Sequence, residues 1–79
     1  MNNKRINEIL SEWLKDFENY PVTNNNDMIT KTFNMAVLRK AIKKNYYVDA
    51  MDTIKNNLDS PLDRIRSEAK ELIELLKND

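Results

Sequence analysis

Not one glycine occurs in the 79 residues of this chain, and only two prolines do. Glycine supplies positive φ in tight turns and lets a backbone close around phosphate. Sharp turns and phosphate-cradling loops are therefore scarce, and helices joined by short polar connections fit the chain best. No Walker-type or dinucleotide-binding loop can be written without glycine. Histidine and cysteine are also absent, which removes the usual neutral-pH proton shuttle, the base of a Ser-His-Asp or Cys-His arrangement, and the commonest zinc and iron ligands. The expectation is a protein without cofactor, metal or catalytic residue.

Apolar spacing divides the chain into four segments. Ile6, Ile9, Leu10, Trp13, Leu14 and Phe17 form one stripe on a 3.6-residue period, so a helix is predicted over about 4–18. Pro21 and the asparagine run after Thr23 make 20–26 a loop, with Asn26 or Asp27 available to cap the next helix. That helix, about 27–44, carries two apolar stripes: Ile29, Phe33, Ala36 and Val37 on one, Met28, Met35, Leu38 and Ile42 on the other. A helix apolar on two sides packs against several neighbours or shows one side to a partner. Asn45 suits a left-handed cap at its end. Tyr47, Met51, Ile54 and Leu58 mark a third helix over about 47–57. In "DSPLDRI", Ser60 reads as N-cap, Pro61 as the first helical residue and Asp63 as reaching back to the cap. A fourth helix then runs over about 61–77, with Leu62, Ile65, Ala69, Leu72, Ile73 and Leu76 as its stripe. The fold class expected is all-α, a compact antiparallel four-helix bundle in a single domain over 1–79. At this size the stripes are needed for folding, and a deep substrate pocket is hard to support.

Lysine plus arginine equals aspartate plus glutamate at 13 each, so no global field draws the chain to nucleic acid or acidic lipid. The longest apolar run is "MAVL", too short for a signal sequence or a membrane span. Without disulfides so small a domain is expected in the cytoplasm, with membrane contact at most peripheral. Two acidic rows occur, Glu8, Glu12 and Asp16 in the first helix and Glu68, Glu71 and Glu74 in the last. Facing each other, they could hold a hard cation or act on a glycoside. Arg64 and Lys70, each four residues before a glutamate of the last helix, favour a solvated, salt-bridged face instead.

The informative asymmetry is local. From Met28 to Tyr47 every charged residue is positive: Lys31, Arg39, Lys40, Lys43 and Lys44. Cations in a last helical turn complement its dipole, which accounts for Lys43 and Lys44 but not for Arg39, Lys40 or the off-stripe Tyr46. Arg39, Lys40, Lys43, Lys44 and Tyr46 are therefore the candidate partner-binding residues. Met35, Leu38 and Ile42 are a candidate apolar side, which could equally pair two copies or lie buried. A small helical DNA-binding or phage or plasmid regulatory protein is the alternative. It is weakened by how few phosphates such a patch could neutralise and by the missing helix-turn-helix glycine.

Taken together, "INEILSEW", "TFNMAVLRKAIKKNYYVDAMDTIKNNL" and "SEAKELIELL" resemble the bacteriocin immunity proteins of the enterocin and pediocin type from Gram-positive bacteria. The resemblance is one of pattern over most of the chain. It implies a cytosolic antiparallel four-helix bundle that protects its producer by engaging a complex of bacteriocin and receptor, without catalysis. The function expected is a non-enzymatic protein-binding module, an immunity protein of this kind or an antitoxin-like inhibitor of a toxin.

Overall fold

The computed structural model describes residues 2–77; Met1, Asn78 and Asp79, which the single-domain reading includes, lie outside the described residues. The described chain is all-α. Helix α1 spans Asn3–Glu18 and α2 Asn25–Lys44; a 3₁₀ turn, Val48–Ala50, leads into α3, Met51–Asn56; a second, Asn57–Asp59, precedes α4, Asp63–Lys77. The protein is a four-helix slab with Cα extents of 39 × 27 × 17 Å.

Side-chain bonds give the helix directions. Arg5 binds Glu71, the Trp13 indole N–H donates to Glu68, and Asp16 accepts from Arg64, so α4 descends as α1 ascends. Asn7 near the start of α1 donates to Asn45 at the end of α2, while Lys31 reaches the carbonyls of Glu18 and Tyr20 at the far end of α1. Both neighbours of α1 are thus antiparallel to it. The core between them is continuous: Ile6, Ile9, Leu10 and Trp13 from α1, Leu38 and Ala41 from α2, Tyr47, Ala50 and Ile54 from the third segment, and Ile65, Ala69 and Leu72 from α4. Each large apolar side chain buried there stabilises the fold by roughly 1.5–3 kcal/mol.

Helix ends depart from the sequence expectation in ways local chemistry explains. Asn24, rather than Asn26 or Asp27, caps α2: its Oδ1 accepts from the Asp27 N–H at 2.8 Å, and the Asp27 carboxylate accepts from the Thr23 hydroxyl at 2.7 Å and the Thr23 N–H at 3.3 Å. This reciprocal arrangement satisfies donors on both sides of the helix start, so Asp27 belongs to the first turn. Asn45 closes α2 as expected, in the left-handed region at φ 51° and ψ 40°. The third segment is not one helix over 47–57. With only six α-helical residues it is too short to hold itself by hydrogen bonding alone; its ends tighten into 3₁₀ turns, and burial of Ala50, Thr53 and Ile54 keeps it in place. The α4 start is the clearest correction. Pro61 holds Ser60 extended, at ψ 141°, and the Ser60 hydroxyl accepts from Leu62 N–H. The first α4 turn instead closes from Arg66 N–H to the Leu62 carbonyl. Asp63 pairs with Arg66 rather than with a cap, and Leu62 is 60% exposed, outside the stripe assigned to it.

Candidate partner-binding surface

Helix α2 carries the surface, and its two stripes have opposite fates. Met35 and Leu38 are buried, Leu38 completely, and Ile42 is half-buried against the core. Of the fates open to the candidate apolar side, Met35 and Leu38 take burial, and Ile42 packs in part against the core. The reason is positional, since they share a face with Ala41, which packs between α1 and the third segment. The other stripe faces outward except at its end: Ile29 and Phe33 are each 66% exposed and Ala36 is exposed as well, whereas Val37 packs against the core. Met28, of the inward stripe, is 51% exposed. Buried residues of α2 begin only at Met35, so the first half of the helix extends past the core.

The basic residues remain on the surface. Arg39, Lys40, Lys43, Lys44 and Tyr46 are all exposed. Arg39 has a long ion pair with Glu18, at 4.0 Å, and Lys40, Lys43 and Lys44 have no ion-pair partner among the described residues. Asp27 is the only acidic residue of α2, and its carboxylate is engaged by Thr23. Tyr46 also forms part of the wall of a shallow groove of about 640 Å³, with Val48, Met51, Ile73 and Leu76. Behind it the chain is firmly held. The buried Tyr47 hydroxyl donates to Asn7 Oδ1 at 2.9 Å, and Asn7 in turn donates to Asn45. Burial pushes the Tyr47 phenol above its ordinary range, with the Asn7 bond opposing in part.

The seam between α1 and α4 is the electrostatic opposite. Arg5 grips Glu71 with two bonds, of 2.5 and 2.8 Å. Arg64 bridges Asp16 at 2.7 Å and Glu68 at 2.8 Å; the second is the four-residue spacing the sequence suggested. Hydrogen bonding to Arg5 holds the Glu71 carboxyl below the usual carboxylate range, partly offset by desolvation. Bonding to Glu71 and Asp16 raises the Arg5 and Arg64 guanidinium groups. The acidic rows approach each other where arginines stand between them, Arg5 between Glu8 and Glu71 and Arg64 between Asp16 and Glu68, and no group of three potential metal ligands forms among the described residues.

Five of the eight sequence-predicted contact residues are therefore on the surface together, and three hold the core. Ile29 and Phe33 were legible as a stripe, but nothing in the spacing assigned them a separate role. Their shared angular position with Lys40 was the available signal.

No helix among the described residues is long and apolar enough to cross a membrane. No family model, curated protein or solved structure matches the chain. Fold and surface define the class: a small all-α four-helix protein with one helix face left out of the core.

Proposed function

We propose that this chain is a non-enzymatic, cytoplasmic protein-binding module, of the bacteriocin-immunity or antitoxin-like kind, acting through the basic second half of α2 and Tyr46. The observation that carries the reading is the exposed set Lys40, Lys43 and Lys44, unpaired among the described residues on a helix whose one carboxylate is engaged elsewhere. The helix dipole accounts for cations in a last turn, but Lys40 lies a full turn earlier, and the nearby Arg39 is only loosely paired. Interface charges of this kind steer encounter and exclude wrong partners.

The test is expression in a Gram-positive strain sensitive to pediocin-type bacteriocins, followed by challenge. The parent chain should protect, and the double variant Arg39→Glu with Lys40→Glu should not, while its unfolding midpoint stays unchanged. Absence of protection by the parent removes the immunity reading. Retardation of duplex DNA by the parent, lost in the double variant, would replace it with a nucleic-acid function.

A further inference from the structure

We infer that the outward face of α2 docks an amphipathic helix of another protein, apolar where it meets Ile29, Phe33 and Ala36 and acidic where it meets Lys40, Lys43 and Lys44. The inference rests on the protein-binding reading above and specifies the partner's chemistry. Residues 29, 33, 36, 40 and 43 are spaced by four, three, four and three. That spacing makes one continuous ridge, about 21 Å long at 1.5 Å per residue, of the sort that fits the groove of a facing helix. Its first half is apolar and its second cationic. The bundle uses neither half, because α2 packs through Met35, Leu38 and Ala41 on the other side.

The exposed parts of Ile29 and Phe33 add up to roughly 260 Å² at about 200 Å² per large side chain, close to the few hundred Å² that a monomer rarely exceeds in one apolar patch unless it is an interaction site. Charge complementarity then fixes the occupant. The same face of a second copy supplies no carboxylate, since Asp27 lies on the far side of α2 and is engaged by Thr23. Side by side in parallel, the copies would set lysine against lysine; antiparallel about Phe33, they would set Lys40 against Asn25 and Asn26. A lipid surface fits no better. Interfacial helices keep lysines off the inserted face, yet Lys40 lies between Ile29 and Phe33 in angle, about 20° from each, and would be pressed into hydrocarbon with them. A protein helix can offer a pocket to Phe33 and, some two to three turns along, a carboxylate to Lys40 and Lys43.

The test is selection of a displayed library of helical peptides, about 20 residues long to cover the ridge, against the full chain. Enriched peptides should combine apolar residues at helical spacing with carboxylates clustered at one end. Phe33→Glu and the pair Lys40→Glu with Lys43→Glu should each weaken their binding about tenfold or more, with helicity and unfolding midpoint unchanged. Enrichment of peptides without an acidic cluster overturns the inference, and so does no enrichment at all. Sedimentation showing a dimer that Phe33→Glu disperses would assign the face to a second copy. Retention on phosphatidylserine vesicles, abolished by Phe33→Glu, would assign it to membrane. Loss of protection by the Lys40→Glu, Lys43→Glu pair but not by Phe33→Glu would leave the functional reading standing and remove this one alone.

Discussion

Helices α1 and α4 differ from α2 in how they distribute apolar and charged side chains. No large apolar residue within α1 or α4 is exposed, whereas α2 exposes Met28, Ile29 and Phe33. Across the α1/α4 seam, Arg5 and Arg64 hold Glu71, Asp16 and Glu68; along α2 the lysines have no such partner among the described residues. One seam has matched its charges and enclosed its apolar stripe, the condition of a finished interior boundary. The α2 face has done neither. In so small a domain, where few apolar side chains are available for the core, three large ones left outside are the observation from which the proposed docking surface is argued.

The sharpest way to break this contrast compares two residues of the same helix. Leu38→Ala should cost about 3 kcal/mol in urea unfolding, as transfer and cavity effects add, while Phe33→Ala should stay within about 0.5 kcal/mol. Equal losses would mean that the outward stripe is part of the fold after all. Next in size are the ends that hold α2 in place. Asn45→Ala should lose about 1 kcal/mol or more because alanine lacks the short polar side chain that lets asparagine hydrogen-bond locally at positive φ, and Asn45→Gly should lose less; the reverse order would refute the left-handed cap. Asn24→Ala should lose about 1 kcal/mol with the first-turn cap, measured the same way, whereas Asn26→Ala should have almost no effect.

The smallest expected effect concerns the sealed seam and is read from pH. Glu71 has a lower pKa folded than unfolded, so its contribution is complete above the ordinary carboxylate range and is lost as pH falls through the lowered folded value. Glu71→Gln should therefore flatten the acid limb of stability against pH while changing little once the pH lies below the lowered folded value. Because the pair is partly exposed, high salt should shrink the difference. An acid limb as steep as the parent's would show that the seam's ion pair adds nothing to stability.

Much of this molecule could be read along the chain. A 3.6-residue apolar period identified α1 and α4 because each has one stripe and one choice of face. Asn45 was identifiable as a cap because, without glycine, asparagine is the residue best able to adopt positive φ. The pairing of Arg64 with Glu68 followed from four-residue spacing. These are local facts, set by dihedral preference and helical geometry within a few residues.

The rest needed residues distant in sequence. Arg5 and Glu71 are 66 positions apart, and nothing local marks them as partners. Pro61 looked like a first helical residue until Ser60 bound Leu62 and delayed α4. Above all, both stripes of α2 satisfied the helical period equally. Periodicity gives the angle between two faces of a helix, not which of them meets a neighbour. Contact of Leu38 and Ala41 with α1 and the third segment made that choice, burying one stripe and turning Ile29, Phe33 and Lys40 outward. The sequence determined four amphipathic helices and a run of cations, because those properties are local. Only the packing decided which apolar face became core and which became surface, because burial depends on what lies opposite.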